Sequence, residues 1–220
     1  MKAFIISLSK IEQSIKSAIA MINPLQAMGF DVELFEGTYG PDAIHLVTHE
    51  NRKLHPTDHF ENPIVNTIRL SGPGAIGCFY SHFRLWKKCV ELNEPIYIFE
   101  DDVNFIRSYV PVQFNEVLIL VLGSWTDIYS QDPNSVLADT PQALPFLGVC
   151  IPGTPGYAIT PVAALKLLNA FSTTYTASDA AIRQSIVNIQ IYSHLIGVAN
   201  TDKLSLTATS QYWDQCKGAL

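Results

Sequence analysis

The stretch Pro95-Ile-Tyr-Ile-Phe-Glu-Asp-Asp102 decides how this chain is read. Its β-branched and aromatic run, Ile96 to Phe99, predicts a buried strand. Three consecutive carboxylates, Glu100, Asp101 and Asp102, close it. Each is ionised at neutral pH, and packed together they repel one another. A bound divalent cation offsets that repulsion, and hard cations such as Mg2+ and Mn2+ take oxygen ligands. Ligands of open α/β sheets sit outside the carboxyl ends of the strands. The alternative reading of an acidic triplet is a solvated loop.

Working outward, Ser71-Gly72-Pro73-Gly74 predicts a turn into a long helix from about Ala75 to Leu92. Ile76, Phe79, Phe83 and Trp86 give that helix an apolar stripe. At the start of the chain, Lys2–Leu8 reads as a strand. Ile11, Ile15, Ile19 and Ile22 then recur at helical spacing, with Ser9 as cap. Pro24 kinks or ends that helix, Gly29 closes it, and Asp31–Phe35 alternates like a second strand. Strand–helix–strand is the opening of a parallel α/β sheet. Pro41 to about Leu70 reads as a polar loop holding His45, His49, His55 and His59. Its histidines lack the HExxH spacing of a zinc helix.

Downstream, Val117–Leu122 predicts a buried strand and Gly123–Pro145 a long loop, of the kind that is usually functional. Pro152 to Thr160 is a glycine-rich turn running into a short strand. Thr160 caps a helix with Pro161 at its first position, with Ala164, Leu165, Leu168 and Phe171 toward the core. Ser178 caps a last helix with Asp179 in its first turn, and Val198–Ala208 reads as terminal strand and turn. With no repeat or linker in view, residues 1–220 read as a single domain.

Several function classes fall away. A net charge of −6 without a Lys/Arg cluster argues against nucleic acid and gives no electrostatic attraction to an anionic membrane. The apolar start is too short for a signal peptide, and Val117–Leu122 is far shorter than a membrane span. Four scattered cysteines without a CxxC pair suggest reduced thiols in a cytoplasmic protein. GxSxG, P-loop and GxGxxG motifs are absent. What remains is a strand-end acidic triplet, a glycine-rich turn at Gly153 and Gly156, and a separate acid, Asp179. A metal-dependent transferase of a nucleotide-activated group needs such parts: a metal on the diphosphate, a carboxylate base, and loops that exclude water. A metal-dependent phosphohydrolase would want a second cluster of ligands, which the sequence lacks.

Gly74-Ala-Ile-Gly-Cys-Phe-Tyr-Ser-His82, Leu85-Trp86-Lys87 and Ile98-Phe-Glu-Asp-Asp-Val103 together resemble the pattern of glycosyltransferase family 25. That family holds bacterial lipooligosaccharide galactosyltransferases and collagen β-galactosyltransferases. Phe35-Glu-Gly-Thr-Tyr-Gly40, Gly153-Thr-Pro-Gly-Tyr-Ala-Ile-Thr-Pro161 and Asp179 are similar to later parts of the same pattern, with Ser210 matching a late serine. The resemblance implies an α/β, GT-A-type, Rossmann-like nucleotide-diphospho-sugar transferase fold, with a mixed, mostly parallel sheet flanked by helices. It implies inverting transfer of a hexose, most often galactose, from a UDP-sugar to a glycan acceptor in lipopolysaccharide or other surface-glycan synthesis. Mn2+ (or Mg2+) would sit on Glu100 and Asp102, which alternate along an extended segment and so point the same way. Asp179 would be the catalytic base. Ser7, Leu8, Gly37, Gly77, His82, Asp101, Gly156 and Tyr157 would line the donor. A lipid-linked acceptor would bring the protein to the inner face of the membrane as a peripheral visitor. The family usually carries Asn-Leu-Asp-Arg where this chain has Ser7-Leu-Ser-Lys10, and a glutamate at Ala75. Those two departures favour a second expectation, a non-catalytic relative that binds a sugar or a partner.

Overall fold

Alternate side chains of the central strands enter two different hydrophobic cores, one on each face of the sheet. Phe4, Ile96, Ile98, Val117, Ile119, Tyr157 and Ile159 belong to one core; Ala3, Ile5, Tyr97, Phe99, Leu118, Leu120 and Ala158 belong to the other. Burial on both faces is why these strands read as continuous apolar runs rather than alternating ones. The computed structural model describes residues 1–55, 72–122, 138–146, 150–151 and 153–199.

The elements in order are β1 (Lys2–Ser7), α1 (Glu12–Ala27), β2 (Asp31–Glu36), α2 (Gly40–His49), β3 (Lys53–Leu54) and α3 (Pro73–Leu92). Then come β4 (Ile96–Phe99), β5 (Val103–Phe105), β6 (Val117–Leu122), β7 (Ala143–Pro145), β8 (Gly156–Ile159) and α4 (Pro161–Ala170). The described chain finishes with β9 (Thr174–Tyr175), α5 (Ser178–Ala181), β10 (Ile189–Tyr192) and β11 (Gly197–Ala199). The main sheet runs β2-β1-β4-β8-β6-β10-β7. β1 is parallel to β2 and β4, while β8 lies antiparallel between β4 and β6. β6 is parallel to two partners on one edge: β10 along its first half and β11 along its second. β7 and β5 run antiparallel to β10 and β11. Of the nine strands in this sheet, β2, β1, β4, β6, β10 and β11 therefore point one way. This is the expected α/β fold with a mixed, mostly parallel sheet flanked by helices.

α1 packs on one face of the sheet, and α2, α3 and α4 on the other. The stripe of α3 is buried as its periodicity predicts, with Phe79 and Trp86 fully enclosed. Each such side chain stabilises the fold by about 1.5–3 kcal/mol relative to exposure. Asn93, at φ 51°, ends α3 in the left-handed region.

Several local expectations are corrected. The buried face of α1 is Ser14, Ser17, Ala18, Met21 and Leu25, and Ile19 is 53% exposed. Small residues let this helix lie close to the sheet, so the larger isoleucines are displaced to its flanks. Ser9 does not cap α1; its N–H and hydroxyl both donate to Glu36 Oε1. α1 continues past Pro24 to Ala27, and Gly29 follows at φ +85°. Residues 40–49 form α2 rather than loop, because Pro41 sits where a helix has no use for an N–H. Leu165 of α4 is half exposed, whereas Thr160 does cap that helix through Ala163 N–H. Val103–Phe105 and Ala143–Pro145 are short strands, and the helix at Ser178 is a single turn capped by Ala177. Ser71, His59, Ser210, Pro152 and most of the expected Gly123–Pro145 loop lie outside the described residues. No helix among the described residues is long and apolar enough to cross a membrane.

Candidate active site

Because β1 and β4 pair in parallel with Ile5 opposite Phe99, their carboxyl ends lie side by side. Ser7–Lys10, Glu36–Thr38 of the β2 end, and Glu100–Asp102 thus share one end of the sheet. Glu100 is held there on several sides. Its N–H donates to Pro155 O at 2.9 Å. Its Oε1 accepts from His82 Nε2 at 3.1 Å, from Cys78 Sγ at 3.5 Å and from the Thr154 hydroxyl. Cys78 and His82 are one turn apart on α3, so their side chains share a face. Ser178 Oγ lies 3.1 Å from Cys78 Sγ and 2.8 Å from Thr154 Oγ1, closing the cluster from α5.

Behind His82 the network continues inward. His82 has no exposed side chain, and its Nδ1 lies 2.8 Å from the Tyr157 hydroxyl. Trp86 Nε1 donates to that hydroxyl at 2.9 Å. An indole N–H can only donate, so the Tyr157 oxygen accepts from Trp86. The Glu100 carboxylate can only accept, so His82 Nε2 carries a proton and donates it to Glu100. Burial pushes the Glu100 carboxyl up, but the hydrogen bond and charge of His82, then Thr154 and Cys78, outweigh it, and its pKa lies below the ordinary 4.5. Glu100 is a carboxylate held ready rather than a proton donor. The same neighbourhood drives the Cys78 thiol well up, first by burial and then by the Glu100 charge.

Asp101 and Asp102 are half-buried in the turn that follows. Asp179, half-buried in α5, accepts from Ala180 N–H at 2.8 Å. Its charge adds to burial and the Glu100 charge in raising the Cys78 thiol and to burial in raising that of Cys150, and it follows directly on Ser178 of the cluster.

The other expected site residues take packing positions. Ser7 is buried and its carbonyl accepts from Gly37 N–H at 2.7 Å. Leu8 N–H donates to Ser14 Oγ at 2.8 Å. A Cβ on Gly37 would meet Ile6 and Leu8 side chains at 3.0 Å; one on Gly77 would meet Thr38 O at 2.6 Å; one on Gly156 would meet Val121 Cγ2 at 2.5 Å. Tyr157 and His82, expected against the donor, have no exposed surface, and the pair reaches Glu100 through His82 Nε2. Sequence reasoning missed Cys78, Thr154 and Ser178. The i, i+4 pairing of Cys78 with His82 was the available signal for the first; the two hydroxyls carry none.

A groove of about 570 Å³ opens at the ends of β1 and β2, lined by Lys10, Tyr39, Asp42, Tyr80, Arg84 and Lys87 among others. Its α3 residues are on the side of that helix turned away from Cys78 and His82. Lys10 and Asp42 form an ion pair of 2.8 Å on its lining. The Glu100 cluster therefore lies beside the groove rather than in it. Among the described residues, one set of three metal-type ligand atoms converges, from Cys78, His82 and Glu100, all within 4.8 Å of one another. A hard cation of the Mn2+ type prefers all-oxygen ligands to this mixed sulfur, nitrogen and oxygen set.

The profile of glycosyltransferase family 25 (LPS biosynthesis protein) matches residues 1–182. A protein of Aedes aegypti described as "Glycosyltransferase 25 family member" is 28% identical over 116 residues, which is 50% of this chain and 18% of that one. The chain thus spans less than a fifth of that relative's length. Among solved structures, the inositol-1-phosphate CTP transferase from T. maritima is similar with a TM-score of 0.42 at 12% identity, over 99% of this chain and 95% of that one.

Proposed function

The chain belongs to glycosyltransferase family 25, and from that premise we propose that it transfers a hexose, galactose by preference, from a UDP-sugar to a glycan acceptor. The acceptor hydroxyl oxygen attacks the anomeric carbon, the bond to the β-phosphate oxygen breaks, and UDP leaves, with inversion at the sugar. The hydroxyl proton goes to the Asp179 carboxylate. Mn2+ (or Mg2+), when bound, neutralises charge on the departing diphosphate. Asp102 and Asp101 would hold that ion, and the ionised Glu100 adds its charge beside them. The groove next to Ser9–Lys10 and Gly37–Tyr39 is of small-ligand size and would take the nucleoside. Surface-glycan synthesis, such as that of lipopolysaccharide, is the role we assign. A lipid-linked acceptor would be met at the inner face of the membrane.

One observation carries this reading. An ionised Glu100 is fixed at the carboxyl end of β4 by donors from α3 and the β8 approach, within the block that carries the family pattern. The test is titration with UDP, with and without Mn2+, followed by UDP release from UDP-galactose and UDP-glucose in the presence of acceptor glycans. Metal-dependent UDP binding with sugar transfer is expected. UDP binding that ignores the metal overturns the reading, and metal-dependent binding without transfer favours the non-catalytic relative.

A further inference from the structure

The cluster of Cys78, His82 and Glu100 has the chemistry of a different ion from the one that transfer uses. Cys78 Sγ is 3.5 Å and His82 Nε2 is 3.1 Å from Glu100 Oε1. A tetrahedral zinc ion with bonds of about 2.0–2.3 Å holds such ligand atoms roughly 3.4–3.6 Å apart. The two contacts to Glu100 are thus within tenths of an ångström of that spacing, and all three ligand atoms lie within 4.8 Å of one another. Two of them come from consecutive turns of one helix and the third from a strand end, so the backbone has nothing to rearrange.

Other features point the same way. A metal-bound histidine usually has its second ring nitrogen hydrogen-bonded, which fixes the ring. His82 Nδ1 is so engaged by Tyr157, which in turn is held by Trp86. Cys78 and Glu100 are partly exposed while His82 is buried. Sulfur and imidazole favour Zn2+ over Mn2+ or Mg2+.

We propose that Cys78, His82 and Glu100 bind a thiophilic divalent cation, zinc by preference, which draws Glu100 out of its network. The thiol proton of Cys78 leaves to solvent as the sulfur–metal bond forms. The His82 ring proton moves from Nε2 to Nδ1 and is donated to the Tyr157 oxygen, whose own hydroxyl proton rotates off that line, while Nε2 takes the metal. Glu100 Oε1 exchanges the donors His82, Cys78 and Thr154 for the ion. Nothing in this proposal depends on which sugar is transferred or on whether transfer occurs.

The experiment uses the full chain. Cadmium is titrated in and the ultraviolet thiolate-to-cadmium charge-transfer band is followed; zinc affinity is measured by competition with a chromophoric chelator. The band should saturate at one ion per chain, persist in Cys89→Ser and Cys150→Ser, and vanish in Cys78→Ser. Serine keeps a hydroxyl for Glu100 and Ser178, and thermal unfolding without metal checks that the variant is folded. Tyr157→Phe removes no ligand but should weaken zinc by about 10–100-fold. If Cys78→Ser does not fold, Glu100→Gln takes its place, with a loss of about tenfold or more expected. No band on the unmodified chain overturns the proposal, as does a band that survives Cys78→Ser through Cys216 or any other thiol. Zinc affinity unchanged by Tyr157→Phe overturns the part assigned to His82.

Discussion

Gly77→Ala sets two effects of opposite sign against each other. Gly77 lies inside α3, where alanine is favoured by about 1 kcal/mol on helix propensity. The new Cβ, however, would sit 2.6 Å from Thr38 O and 3.1 Å from Gly40 Cα and N. The closest of these is about 1 Å inside an ordinary contact. All three are backbone atoms, so no side chain can swing aside. α3 has to retreat from the 38–40 segment, and overpacking of that kind costs about 1–3 kcal/mol. The retreat also pulls on the buried bond from Thr38 N–H to Ser81 Oγ, 2.8 Å long, worth about 1 kcal/mol. The balance is a net destabilisation of about 1–3 kcal/mol, or a fall in Tm of roughly 2–12 °C for a chain of this size. Thermal unfolding and urea titration of the two proteins measure it. Stability unchanged or raised would refute the packing argument. If UDP affinity also falls at unchanged stability, Gly77 contacts the donor directly, as the sequence pattern suggested.

Asp179→Asn should lower sugar transfer by about 10²–10⁴-fold while UDP affinity holds; turnover within a few-fold of the parent would leave Asp179 only a helix-stabilising role in α5. Asp102→Ala should abolish metal-dependent UDP binding with a stability change under about 1 kcal/mol, and surviving metal dependence would make the turn structural. The stability advantage of the parent over Glu100→Gln should depend on pH. The folded carboxyl has a lowered pKa, so its contribution is full above the ordinary 4.5 and lost as pH falls through the lower folded value. A gap that stays constant on acidification would show that Glu100 is not held ionised.

The chain announces its central elements because both faces of them are buried. Ile96–Phe99 and Val117–Leu122 are apolar at every position, and the α3 stripe is interrupted by nothing that breaks a helix. α1 was misread because Ser14, Ser17 and Ala18 are core residues here, and small polar residues do not register as a hydrophobic face. α2 was hidden by Pro41 and its exposed histidines, although proline at a first turn starts helices as readily as it ends them. β5, β7 and β11 are three residues each, and their identity comes from partners far along the chain, which no local pattern carries. The acidic triplet was legible as a block. The donors that hold Glu100 were not, since they come from α3 and the β8 approach, far from it in the chain.

The hydrogen-bonded partner of β5 is β11, with Val103 opposite Ala199. The acidic turn is therefore fastened at its leading side by the central sheet and at its trailing side by a segment almost a hundred residues later. During synthesis at about 5–20 residues per second, the carboxylates leave the ribosome roughly 5–20 s before their second fastening exists. Any nascent chain holds this charged turn half-tethered for that interval.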